Sequence, residues 1–287
     1  MKSLTLALVS FASFCAPALL ADAPAKLEFP AASPSSVVKQ RVGITDIEIT
    51  YSRPSVKGRT IFGGLVPHGQ TWRTGANQAT QISFSTPVKA EGKDLPAGTY
   101  ELFTIPGESE WTVIFHKPMS QWGTYTYKEE NDVLRVAVSP IKLSQAVESL
   151  EIGFDALRDD GATLQIAWDK TLVPVKLQTD VLTALPARIE EVMNSDAAKK
   201  PYAQAAMFYA THNLDLKKAA TWMDSAIKEQ PDAFYFVYQK ARILAKAGDK
   251  AGALAAAQQS LAAAEKAQGP LRTEYVRLNQ ELIASLK

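Results

Sequence analysis

The sequence predicts an α+β protein in two parts: an antiparallel β-sandwich or barrel-like domain over residues 37–178, then an all-helical, tetratricopeptide-like domain over 183–287. Three observations predict it. Apolar and polar side chains alternate over short runs as far as residue 178, turn-forming Gly, Pro and Asp separate those runs, and after Thr179 the texture changes to Ala, Leu, Lys and Glu with apolar residues at helical spacing. At 287 residues, 46% of them hydrophobic, the chain can fill two modest cores.

The first element is a leader. Lys2 precedes an apolar run from Leu4 to Leu20, closed by Ala21-Asp22-Ala23. That is the charged, hydrophobic, small-residue order of a secretory signal peptide, expected over residues 1–23 with cleavage near Ala21 or Ala23. Pro17 interrupts the run and its length is short for a bilayer-crossing helix, so cleavage is expected rather than retention as an anchor, with no membrane span afterwards. The single cysteine, Cys15, lies inside this segment behind the bulky Phe14, which disfavours lipidation. Export to a periplasm or the cell exterior then leaves a mature chain with no disulfide, thiol nucleophile or thiolate metal site. Residues 24–36, with Pro24, Pro30 and Pro34 among Ala and Ser, read as an extended stretch.

Strands follow. Ile47-Glu48-Ile49-Thr50-Tyr51, Trp111 to Phe115 and Leu164 to Trp168 alternate with period two, as a sheet with one dry and one wet face requires. Further β-rich runs are Gln81 to Phe84, Tyr100 to Ile105, Val133 to Val138, Leu150 to Leu157 and Leu172 to Leu177. Glu91-Gly92-Lys93, Pro96-Ala97-Gly98, Pro106-Gly107 and Asp159-Asp160-Gly161 supply the turns between them. In the helical part Asp215 and Asp249 stand 34 residues apart, as do Ala219 and Ala253, and Pro231 closes the first unit. The period and its small residues resemble a tetratricopeptide repeat over roughly 200–266, with further helices near 183–194 and 270–285; the alternative is a plain helical hairpin bundle. Fewer than three repeats are not stable as a free stack, so these helices are expected to dock on the β domain or on a second copy, or to offer a face to a protein partner.

Charge is nearly balanced, 31 Lys and Arg against 30 Asp and Glu, which gives no reason to expect nucleic acid or an anionic membrane. Its distribution is uneven. Between Glu48 and Glu91 there is no acidic residue, while Arg53, Lys57, Arg59, Arg73 and Lys89 bring five cations. Guanidinium groups make planar, two-pronged contacts with carboxylate, phosphate or sulfate, and Gly63, Gly64, Gly69 and Gly75 let backbone N–H groups approach a ligand closely. With Trp72 and Tyr51 as flat walls, the segment is a candidate site for a small anionic or polar ligand, bound through Arg53, Arg59, His68, Trp72, Arg73 and Asn77. The competing reading is structural: in a long connection such arginines hydrogen-bond loop carbonyls and stack on a Trp, and the glycines serve turn geometry.

The run Tyr51-Ser52-Arg53-Pro54-Ser55-Val56-Lys57-Gly58-Arg59-Thr60-Ile61-Phe62-Gly63-Gly64-Leu65-Val66-Pro67-His68-Gly69, with Trp72 to Asn77, Leu95 to Tyr100, Ile105-Pro106-Gly107, Trp111 to Ile114 and Gln121-Trp122-Gly123, resembles the bacterial family called domain of unknown function 2911, over about residues 38–178. The resemblance implies a secreted β domain and no particular reaction. The family pattern commonly places Tyr where this chain has His68, which weakens a mechanism built on that histidine.

Other chemistry finds little support. No HExxH or HxH spacing joins His68, His116 and His212, so no metal and no cofactor is expected. His116 reads as a strand-end surface residue and His212 as a helix C-terminus. Ser52, Ser55 and Thr74 share the glycine-rich segment with His68, but no GxSxG elbow is present and no catalytic residue is assigned. Glu129-Glu130 with Asp132 reads as a solvated turn. Trp111 is in phase with Val113 and Phe115 and belongs to a core, whereas Trp122, Tyr125 and Tyr127 are candidates to line the cavity of Trp72. The leading expectation is an exported binding or interaction protein. Its rivals are a hydrolase using the same glycine-rich region and a structural envelope protein without a ligand.

Overall fold

A computed structural model describes residue 27 and residues 29–287, and the expected signal peptide with Cys15 lies outside these. Residues 29–34 run without regular structure into ten strands: β1 (Ser35–Val42), β2 (Thr45–Ser52), β3 (Thr80–Phe84), β4 (Val88–Ala90), β5 (Lys93–Leu95), β6 (Gly98–Ile105), β7 (Trp111–His116), β8 (Asp132–Val138), β9 (Ile141–Arg158) and β10 (Gly161–Thr179). They pair antiparallel in two sheets, ordered β1-β2-β3-β6-β7-β8 and β5-β4-β10-β9. Neither sheet closes on itself, so the barrel-like alternative gives way to two open sheets.

Alternation sends one face of each sheet inward. In β2, Thr45, Ile47, Ile49 and Tyr51 are buried while Asp46 and Thr50 are exposed. Ile82, Leu102, Val113 and Phe115 from the first sheet meet Leu150, Ile152, Leu164 and Val175 from the second in one apolar cluster, which also takes in Trp111. The opposite-facing Phe103 of β6 and Ile114 of β7 are buried too, in a smaller cluster with Ala79 and Tyr127. β10 shows why the sequence reads as two runs there. Leu164, Ile166 and Trp168 point inward at even positions and Val173, Val175 and Leu177 at odd ones. The phase changes at a bulge around Asp169, whose φ is 50°, and a single long strand continues through it.

Six helices follow: α1 (Val181–Asn194), α2 (Tyr202–Thr211), α3 (Leu216–Glu229), α4 (Phe234–Lys246), α5 (Lys250–Lys266) and α6 (Pro270–Ser285). The 34-residue spacing is structural. Asp215 caps α3 by accepting from Lys218 N at 3.0 Å, and Asp249 caps α5 by accepting from Gly252 N at 2.8 Å. One turn further on, Ala219 and Ala253 are both fully buried, where any larger side chain would force neighbouring helices apart. The helices begin against the β region. Gly43, in the β1–β2 turn with φ 56°, lies so close to Asp159 O and to Val181 that a Cβ would come within 2.4 Å of each. Among the described residues no helix is long and apolar enough to cross a membrane.

Candidate functional site

Between β2 and β3 the chain crosses from Arg53 to Ala79 without regular structure, and buried anchors hold it down. Ile61, Val66 and Trp72 are buried in the main core. Trp72 exchanges both backbone hydrogen bonds with Thr104 of β6, 2.7 Å and 2.8 Å, and its indole Nε1 donates to Gly75 O at 3.0 Å. Thr74 is fully buried, donating to Thr104 Oγ1 at 3.2 Å while its carbonyl accepts from Thr80 Oγ1 at 2.8 Å. Arg73, between two anchored neighbours, therefore has a fixed backbone. Gly64 shows the tightness of the crossing: a Cβ there would lie 2.5 Å from Thr60 O.

Over this segment opens a cleft of about 340 Å³, lined among others by Arg59, Trp72, Arg73, Thr124 and Trp168. Its floor is rigid. The Trp72 and Trp168 rings stack at 5.7 Å and 19°, and Phe62 sets its edge against Trp72, Trp168 and Trp111. The cations differ in what they bind. Arg59 donates from Nε to Val56 O at 3.0 Å and from a terminal nitrogen to Ser55 O, which ties part of its fork to the loop. Arg73 is half-buried, and its Nε is shielded from solvent with no acceptor. Burial lowers the Arg73 pKa from its ordinary value, against an opposing influence of the nearby Tyr125. Among the described residues the arginines that reach carboxylates are Arg41, Arg135, Arg158 and Arg277; neither Arg59 nor Arg73 does.

Of the six residues expected to share a site, Arg59, Trp72 and Arg73 line the cleft and three are directed elsewhere. Arg53 donates from Nε to Leu150 O at 2.8 Å, joining the crossing segment to β9. Asn77 donates to Ser33 O at 3.3 Å and Ser52 Oγ at 3.2 Å, closing the segment against the strand it left. His68 packs its ring on Gly63 and lines a different depression with Glu108, Lys142 and Lys170. Tyr51 is no wall of the cleft either: its hydroxyl accepts from Ile152 N at 3.0 Å inside the core. Trp168 and Thr124 are cleft residues that the sequence did not single out. Trp168 sits in an alternating strand and looks like core, and its approach to Trp72 is a tertiary fact.

A second charged cluster sits under the loop that supplies Thr124. Glu101 of β6 is fully buried and takes Gln121 in both hands, Oε1 accepting from the backbone N and Oε2 from Nε2, each at 2.8 Å. His116 Nδ1 lies 3.6 Å from Glu101 Oε2 and 2.7 Å from Lys117 O, and Nε2 lies 3.2 Å from Lys128 O. His116 is fully buried rather than a surface residue, because the segment 117–128 folds back over the end of β7. Tyr127 closes the group, donating from its hydroxyl to Asp132 Oδ2 at 2.8 Å, so Asp132 is not part of a solvated turn. Burial, foremost, raises the pKa of Tyr127 well above its ordinary value, and burial likewise raises that of Asp132. Gln121 O accepts from Ala79 N at 2.9 Å and Asn77 O from Gly123 N at 3.2 Å, which seats the loop beside the cleft. Among the described residues no group of three His, Cys, Asp or Glu side chains is placed to hold a metal ion.

A family model described as a protein of unknown function (DUF2911) matches residues 33–177, which covers β1 to β9 and β10 up to Leu177, and stops before the helices. No curated protein and no solved structure matches the chain.

Proposed function

The chain belongs to that family of proteins of unknown function, and we propose that it is an exported binding protein whose β region holds a small anionic or polar ligand in the cleft of Arg59, Trp72 and Arg73. One observation carries the reading. A half-buried guanidinium, bound to no carboxylate and with an Nε that has no acceptor, lines a concave site with an aromatic floor. Removing a cation from water without a counter-charge is unfavourable, and an anion entering the cleft would offset that cost while making the two-pronged contact that Arg favours. The rival structural reading, with every guanidinium paired to protein carbonyls, describes Arg53 and much of Arg59, and the Arg73 Nε without an acceptor speaks against it. The helical region is proposed to serve a protein partner or self-association.

Thermal unfolding with graded sulfate, phosphate and acetate tests the proposal. An anion that binds only the folded state raises Tm with its concentration relative to Kd. Wild type should gain stability with at least one of these anions at fixed ionic strength, and Arg73→Ala should lose that gain while keeping its Tm in water. Equal gains in both proteins would remove the site.

A further inference from the structure

The loop that lends Thr124 to the cleft carries two exposed aromatic side chains, one of them, Tyr125, near enough to Arg73 to influence its charge. Trp122 is 61% exposed and Tyr125 is 87% exposed, on either side of Thr124, which itself lines the cleft. Large exposed aromatics are unfavourable in water and offer flat faces on which a ligand can stack. They do not hang on a loose loop. Gln121 is clamped from both sides by the buried Glu101, Thr126 Oγ1 donates to Gln121 Oε1 at 3.0 Å, and Gly123, with φ 71°, brings its backbone against the Tyr125 ring. A buried carboxylate is a costly way to secure a loop. Here it fixes the loop that carries two flat rings and lends Thr124 to a cationic cleft.

Resting on the proposed anion site, we infer that the ligand is an acidic saccharide. Its carboxylate or sulfate group meets Arg73 and Arg59, and a pyranose ring at the cleft mouth lies against Trp122 and Tyr125. The surroundings suit sugar better than a bare anion. Ser33, Gln70, Thr71 and Thr124 line the cleft with groups that can exchange hydrogen bonds with ring hydroxyls, and flat aromatic faces take up the C–H faces of a pyranose. A nucleic acid, which would also stack on such rings, draws on an extended positive field that a chain of net charge +1 does not offer.

Calorimetric titration with tetragalacturonate, a sulfated disaccharide, neutral cellotetraose and inorganic sulfate separates the sources of affinity. The acidic sugars should bind wild type more tightly than sulfate, and cellotetraose should bind at least tenfold more weakly than they do. Trp122→Ala/Tyr125→Ala should weaken the acidic sugars roughly tenfold, equivalent to about 1.4 kcal/mol, and leave sulfate binding and Tm unchanged. Tetragalacturonate against the sulfated disaccharide tells carboxylate from sulfate. Sulfate binding that depends on Arg73, with acidic sugars no tighter than sulfate or unaffected by the double variant, overturns this inference and leaves the anion site standing. Equal binding of cellotetraose overturns it as well. Loss of all binding, sulfate included, overturns both.

Discussion

Glu101 and Arg73 both leave water in the β region, and they are treated in opposite ways. Glu101 is fully buried and its two oxygens accept from Gln121 N and Nε2, with His116 Nδ1 3.6 Å away. Arg73, which lines a cleft together with Thr124 of the loop that Glu101 holds, is half-buried and its Nε meets no acceptor. The first arrangement is complete and works as a fastening; the second is incomplete and belongs to a side chain that lines an open cleft. A charge satisfied from within becomes costly once its partner is removed, whereas one that the protein does not satisfy is costly as it stands and is open to a partner from outside.

Removing the complete partner should have the largest effect. Glu101→Ala strands the Gln121 amide groups and leaves the His116 ring without its carboxylate, so urea denaturation should show a loss of about 3 kcal/mol, within the range for breaking a buried pair. A loss under about 1 kcal/mol would mean that the network is wetter than it stands here and would erase the contrast. Removing the incomplete one should do the reverse. Arg73→Met exchanges an unsatisfied donor for an apolar chain of similar reach, so without ligand the protein should be as stable as wild type or gain up to about 1 kcal/mol, and it should no longer respond to anions. A marked loss of stability in Arg73→Met would show that Arg73 is a fastening as well.

The helices supply a third, milder case and the smallest effect. Glu190 of α1 accepts from Lys218 Nζ at 2.7 Å and from the Tyr209 hydroxyl at 2.8 Å, and these two bonds, Lys218 foremost, hold its carboxyl below the usual value of 4.5. The same contact, after burial, pushes Tyr209 up to about 12. A carboxyl with a depressed folded pKa contributes stability that is complete above the unfolded pKa and is lost as pH falls through the folded one. Stability of the helical region should therefore decline below about pH 4.5 more steeply in wild type than in Glu190→Gln, followed by helical circular dichroism during acid titration. Asp132, raised by burial, carries the opposite sign: the stability linked to its neutral form is present below its ordinary value of 3.8 and is lost as pH rises through the raised one. Identical acid profiles for wild type and Glu190→Gln would show that the depression has no net influence on folding.

Much of the architecture was legible because it rests on local periods. β2 buries the residues that alternation selects, and Asp215 and Asp249 cap helices where a 34-residue spacing puts them. β1 and the short β4 and β5 escaped notice: an edge strand with half-exposed side chains and two three-residue strands carry too few apolar positions to set a period. The phase change at Asp169 hid the unity of β10 for the same reason, since alternation is counted along an unbulged chain. The cleft was legible in part. A stretch of 42 residues between Glu48 and Glu91 without an acid identifies where cations gather, and Arg59, Trp72 and Arg73 came from it. Arg53, Asn77 and His68 came from it too, and the fold uses them elsewhere.

Composition and period by themselves determined the antiparallel strands, the turn residues between them, the helical repeat with its aspartate caps and the concentration of arginine in one connection. Only the tertiary structure decided which arginine would be left without a partner. Arg53 finds the Leu150 carbonyl 97 residues away, Glu101 finds Gln121 across a strand pair, and Trp168 arrives beside Trp72 from the other sheet. Hydrogen bonding and burial act between groups that are close in space, and for a side chain on a long connection that proximity is set by how the sheets pack, which no local pattern encodes.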